Sequence, residues 1–217
     1  MHGGKVVTGM NHGEAFGKMS IDEQDNGLFT SGFLDPKTGE FVADEETFYL
    51  KQLILIRHSE IEEDTDKVSS FDGSPDPALS DNGRSKADDL ACCLQKKLDL
   101  SGYAQFTGYA TRCQETARII DSHTNLGVEY LPWLQDMTEE ESPIQFVCRL
   151  KKTLDYIPDK SLVVSHCNCV LNLAQLALGL ADITSCSKWN GVIPKCSVTI
   201  VNGREAVWIG HELTCRT

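Results

Sequence analysis

The sequence predicts an α/β fold in which a mostly parallel central sheet carries helices on both faces. Two features and their alternation point there. From residue 50 onward, short apolar runs such as Leu53-Ile54-Leu55-Ile56 read as strands buried on both sides. Between them, apolar residues recur at helical spacing, as at Ala87, Leu90, Ala91, Leu94 and Leu98. Repeated strand–helix units are the pattern of a parallel sheet with covered faces.

Taken in order, the chain opens with residues 1–48, which read as an N-terminal extension. Its first 26 residues are rich in Gly and polar side chains and lack periodicity. Phe29 to Val42 holds two apolar runs around Asp35-Pro36-Lys37-Thr38-Gly39, turn chemistry that predicts a small hairpin. Residues 49–217 form the main domain. After the strand at 53–56, a helix spans 84–98, capped by Asp81 or Asn82. Tyr103 to Tyr109 is a strand and Arg112 to Ser122 a helix. Val128 to Leu131 is a short strand. Ser142-Pro143 opens a third helix, with Ile144, Val147, Leu150 and Leu154 along one side. Ser161 to Val164 is another buried strand, and Asn168 to Leu180 an apolar helix. Val198 to Val201 and Ala206 to Ile209 flank Asn202-Gly203, as in a hairpin.

Composition narrows the function classes. A chain of 217 residues has room for one sizeable domain, and 41% hydrophobic with 24% charged residues is ordinary for a globular protein. No run of 18 apolar residues offers a membrane span, and the polar sequence after Met1 lacks the apolar core of a signal peptide. The expected compartment is the cytosol. A formal net charge of −12 argues against nucleic acid and anionic membrane as partners. Nine scattered cysteines, an odd number, suggest reduced thiols rather than a disulfide framework. Cys167-Asn168-Cys169 beside His166 lacks the paired spacing of a zinc site, so no metal or other cofactor is expected.

Three predicted strands lead into polar residues of one kind: Arg57-His58-Ser59-Glu60, Thr111-Arg112 and Ser165-His166. Ligands in parallel α/β sheets lie at the C-terminal strand ends, so two arginines and two histidines converge there. Forked guanidiniums match phosphate oxygens. One neutral imidazole can attack phosphorus, and the other can donate to the phosphoryl oxygens.

On these residues the chain resembles the histidine phosphatase superfamily, also called phosphoglycerate mutase-like. Arg57-His58-Ser59 stands where the family has Arg-His-Gly. Asp76-Pro77-Ala78-Leu79-Ser80-Asp81-Asn82-Gly83-Arg84-Ser85-Lys86-Ala87 is similar to its Leu-Ser stretch followed by Gly and Ala. Arg112-Cys113-Gln114-Glu115-Thr116-Ala117 matches Arg-x-x-x-Thr-Ala, and Ser165-His166 matches the late Ser-His. The resemblance covers about residues 50–210. It implies that His58 is the nucleophile and that Arg57, Arg112 and His166 cradle the phosphoryl group, with Ser59 and Cys167 beside it. It also implies a carboxylic acid that protonates the leaving oxygen. Asp136, in Leu134-Gln135-Asp136, is the first candidate, and Glu139, Glu140 and Glu141 are its rivals.

Departures from the family pattern favour a phosphatase over a mutase. Ser59 and Cys167 replace usual glycines, and in Ile61-Glu62-Glu63-Asp64-Thr65-Asp66 the chain offers Ile61 where mutases keep a small hydroxyl residue and Asp64 at about the position of their Asn. Only about twenty residues separate Ala117 from Asp136, too few for the insertions that recognise phosphoglycerate. The lean loops are more like the small phosphohistidine phosphatases, SixA among them, or broad phosphomonoesterases. The implied partner is a small phosphorylated substrate or a phosphoprotein. The alternatives are a phosphomutase and a catalytically weak phosphoprotein-binding module. Oligomeric state and the role of residues 1–48 are not legible.

Overall fold

The structure is a computed structural model that describes residues 31–34, 41–44, 51–62, 76–178, 193–203 and 205–213. The chain divides into two compact units, Met1–Thr47 and Phe48–Thr217. In the first, β1 (Ser31–Leu34) and β2 (Phe41–Asp44) pair antiparallel, with Leu34 opposite Phe41. This is a hairpin where the apolar runs suggested one. The turn assigned to 35–39 lies outside the described residues.

The second unit is built on a six-stranded sheet. Its strands are β3 (Gln52–Arg57), β4 (Ala104–Thr107), β5 (Val128–Tyr130), β6 (Ser161–Ser165), β7 (Val198–Asn202) and β8 (Glu205–His211). Their spatial order is β5-β4-β6-β3-β7-β8. The first four run parallel, and β7 and β8 add an antiparallel edge as a hairpin through Asn202 and Gly203. The sheet is mostly parallel, as its sequence pattern suggested.

The reason for the continuous apolar run in β3 is visible in its neighbours. Side chains alternate across a strand. Leu53 and Leu55 join a core with Phe146, Leu150 and Leu154 of α3 (Pro143–Tyr156) and with Val170 and Leu173 of α4 (Cys167–Ala177). Ile54 and Ile56 join the opposite core, with Ala87, Leu90 and Leu94 of α1 (Asp81–Lys97) and Ala117 and Ile120 of α2 (Thr111–Thr124). Both faces are dry, so both residue sets must be apolar.

Two local expectations need correction. The cap of α1 is Ser80, not Asp81 or Asn82. A cap residue keeps extended backbone, and Ser80 (φ −69°, ψ 164°) accepts from the Gly83 N–H while Asp81 and Asn82 are already helical. In α3, Ile144 is 45% exposed, and Phe146 takes the core position instead. At 100° per residue, Ile144 lies about 200° from Phe146, far from the stripe through 146, 150 and 154. The cap assigned to Ser142 holds and is a full capping box with Gln145.

Among the described cysteines, Cys92, Cys113, Cys148, Cys167, Cys169 and Cys196 are outside disulfides. Cys93 is disulfide-bonded, an exception to the reduced thiols expected from the sequence. Among the described residues no helix is long and apolar enough to cross a membrane.

Candidate active site

The neighbours β4, β6 and β3 run parallel, so their C-terminal ends open on one edge. The His58 N–H donates to the Ser165 carbonyl at 2.9 Å, which ties the end of β3 to the end of β6. This sets His58 against His166, the residue that caps α4. Their rings lie 5.4 Å apart, edge to face at 69°.

Both imidazoles are buried, His58 to 6% exposure and His166 to 1%. Burial first, then nearby positive groups, pushes each ring down to about 3, so both are neutral at neutral pH. For His58 those groups are His166, whose own protonation would oppose a second charge, and the permanently charged Arg112 and Arg57. For His166 they are Arg112, Arg57 and Arg149. The His58 Nδ1 meets the Ser59 carbonyl at 2.8 Å. A carbonyl only accepts, so Nδ1 carries the proton and Nε2 keeps its lone pair.

Arg112, on the first turn of α2, reaches His166 Nδ1 with Nη2 at 3.3 Å. A guanidinium only donates, so Nδ1 is the acceptor and His166 Nε2–H faces the Cys113 sulfur at 3.5 Å. Burial pushes the Cys113 thiol well up, which leaves it a neutral partner for that N–H. Arg57 donates through Nη1 to the Ile193 carbonyl. Its Nε is buried and has no partner among the described residues.

Asp136 follows a short 3-10 turn, Pro132–Leu134, and its Oδ2 is 3.8 Å from His166 Nδ1. Oδ1 accepts from the Met137 N–H at 3.0 Å and from Asn168 Nδ2 at 3.4 Å. Its rivals are placed differently. Glu141 is engaged with Arg149 at 2.6 and 2.8 Å, and Glu139 and Glu140 are exposed. Ser59 is fully buried, and its hydroxyl donates to the Gly83 carbonyl at 2.7 Å, inside the frame behind His58. Cys167 opens α4 and is buried next to His166. Of the acidic run after the first histidine, Ile61 bridges to Leu79, and Asp64 lies outside the described residues.

Several supports were not legible in the sequence. The Asp76 carboxylate accepts from the Thr111 N–H and hydroxyl and pairs with Arg112 Nη1 at 3.4 Å. It serves α2 as a cap from 35 residues away, since Ala110 offers no side-chain cap. Thr116 accepts from the Ser59 N–H at 3.1 Å and donates to the Arg112 carbonyl, joining the two motifs. Only a long-range contact map would have marked them. Among the described residues no group of three or more His, Cys, Asp or Glu side chains is placed to hold a metal ion.

Residues 53–138 match the family model of the histidine phosphatase superfamily, branch 1. This stretch is similar to that superfamily. A likeness of fold to solved structures extends beyond the matched segment. The α-ribazole phosphatase of Shigella flexneri superposes with a TM-score of 0.57 at 18% identity, covering 76% of this chain and 99% of its own. The assigned phosphohistidine phosphatase SixA of Agrobacterium tumefaciens gives 0.53 at 14%, covering 72% and 95%. A mycobacterial glucosyl-3-phosphoglycerate phosphatase gives 0.51 at 18%, covering 69% and 89%. Curated proteins give no sequence match.

Proposed function

We propose that the chain is a phosphatase that hydrolyses phosphate monoesters or phosphohistidine through a phosphoryl group carried on His58. The observation that carries this reading is the His58 ring. It is buried and neutral, with Nδ1 tied to the Ser59 carbonyl so that Nε2 keeps its lone pair, near Arg57, Arg112 and His166.

The steps follow from those atoms. The Nε2 lone pair of His58 forms a bond to phosphorus as the bond from phosphorus to the leaving oxygen breaks. The leaving oxygen takes the carboxyl proton of Asp136. Arg57 and Arg112 hold the equatorial oxygens, where charge spreads in the transition state. The incoming dianion offsets the positive surroundings of His166, which then takes a proton from solvent on Nδ1, donates it in a hydrogen bond to phosphate, and returns it to solvent when phosphate leaves. Water next attacks the phosphohistidine, giving its proton to the Asp136 carboxylate. The P–N bond breaks, and phosphate leaves with the His58 imidazole restored. The partner is a small phosphorylated molecule or a phosphoprotein. The cytosol is the compartment we assign, because six described cysteines stand outside disulfides; Cys93 is the feature against it.

The test is hydrolysis of 4-nitrophenyl phosphate in the presence of chelator, with rapid quenching in alkali to trap phosphohistidine. The expected result is turnover by the parent chain with label on His58, and neither in His58→Ala. Equal rates in both proteins would overturn the mechanism. Binding of phosphate esters without turnover would make the chain a binding module, and phosphoryl transfer between phosphoglycerates without phosphate release would make it a mutase.

A further inference from the structure

The segment that carries Asp136 is held by side chains rather than by regular structure. The carbonyls of Trp133, Leu134, Gln135 and Asp136 are four in a row, and each accepts from a side chain. Ser165 Oγ donates to Leu134 at 2.8 Å, and the Cys169 thiol donates to Gln135 at 3.0 Å. These two residues stand one before and three after His166 in sequence. Arg149, in the second turn of α3, takes the rest. Its Nη1 donates to Trp133 at 2.6 Å and Gln135 at 2.9 Å, and its Nη2 donates to Asp136 at 3.3 Å. The remaining Nη2 donor and Nε go to the two carboxylate oxygens of Glu141, at 2.6 and 2.8 Å.

A guanidinium has five N–H donors, and all five are spent on residues 133–141. None is left for a substrate, so Arg149 is not a phosphate ligand. Packing does not do this task on that side. A cavity of about 340 Å³, lined by Gln135, Asp136, Thr138, Glu140 and Arg149, lies against the loop. Charge-assisted bonds to the carbonyls of Trp133, Gln135 and Asp136 are therefore what fix the backbone of Asp136 there. The Asp136 side chain has two further anchors, the Met137 N–H and the Asn168 amide.

We propose that Arg149, with Glu141 as its counterion, is the positioning residue of the general acid. The proposal rests on the reading of Asp136 as that acid. A clamp on the acid has a kinetic signature that a general support of the fold lacks. Leaving groups differ in how much they need the proton: 4-nitrophenolate leaves readily without it, whereas phenolate does not. Misplacing an acid by about 1 Å costs up to roughly 100-fold where proton donation matters.

The experiment measures kcat/KM for 4-nitrophenyl phosphate and phenyl phosphate with the full chain, Asp136→Asn, Arg149→Met, Arg149→Lys and Asp136→Asn/Arg149→Met. The ratio of the two values reports phosphoryl transfer to His58 and its need for acid. Arg149→Met is expected to lose about 10-fold more on phenyl phosphate than on the nitro ester, in the direction of Asp136→Asn. The double variant should show the ratio of Asp136→Asn alone. Arg149→Lys keeps the charge beside Glu141 but cannot span three carbonyls and a carboxylate, so it should shift the ratio too. It carries the test if Arg149→Met does not fold. Equal losses on both esters in the Arg149 variants, with Asp136→Asn still selective, would overturn the role of Arg149 alone. No selectivity in Asp136→Asn would overturn the acid assignment, and the Arg149 proposal with it.

Discussion

In the proposed mechanism His166 changes protonation when phosphate binds. Its Nδ1 accepts from Arg112 and its Nε2–H faces Cys113. Burial and three arginines hold it neutral, down at about 3. A dianion seated on Arg57 and Arg112 offsets part of that positive field and offers acceptors to a protonated ring. Its binding therefore favours the charged form and raises the ring's proton affinity. Sulfate suits the test because it stays dianionic across the working range. Calorimetric titration near pH 6 in two buffers of different ionisation enthalpy should show net proton uptake on sulfate binding. His166→Gln should bind more weakly and without that uptake. Proton-neutral binding by the parent chain would mean that His166 serves phosphate only as a neutral group.

At the scale of elements, the ends of helices connect fold to site. The capping box of α3 satisfies two backbone N–H groups at the start of the helix that presents Arg149. Ser142→Ala should lower the unfolding free energy by about 1 kcal/mol in urea. It should leave 4-nitrophenyl phosphate turnover nearly intact, because Ser142 touches neither Arg149 nor the pocket. Gly83 carries a stiffer constraint. A Cβ there would stand 2.0 Å from the Glu60 carbonyl oxygen, on the segment just after His58. Gly83→Ala must therefore shift backbone against backbone, and both stability and turnover should fall, with urea midpoints and kcat/KM as the measures. These elements also mark how far sequence carries. The strands at 53–56 and 161–164 were legible because a run dry on both faces has one reading. His58, Arg112 and His166 were legible because each follows a strand. Ser80 was missed by one residue, since Ser, Asp and Asn in a row all suit a cap and only backbone angles choose among them. Arg149 and Asp76 were invisible because their partners lie across a loop or 35 residues away, where no local period reaches.

For the whole molecule, the two buried histidines make folding depend on pH. Each ring is neutral in the fold down to about 3, while its unfolded value is 6.5. Between those limits the unfolded chain binds more protons than the folded one. Stability is therefore full above about pH 6.5 and falls as pH drops through the window, flattening near 3. The steepest loss is on the order of 1.4 kcal/mol per pH unit for each ring. Against a typical total of 5–15 kcal/mol, two such groups are enough to unfold a domain in mild acid. A second effect has the opposite sign. At a net charge of −12 and a pI near 4.9, acid removes self-repulsion as it approaches that point, which favours the compact state. The local term should win, because the dispersed charges are screened by salt and the buried rings are not. Urea unfolding at pH 7.0, 5.5 and 4.5 in 0.15 M salt, at low protein concentration, reads the sum. The expected result is a steady loss of stability down the series, with a slope about half as steep in His58→Ala. Equal slopes in the parent chain and His58→Ala would mean that the His58 ring titrates alike in folded and unfolded chains, and would remove the neutral nucleophile on which the proposed chemistry depends.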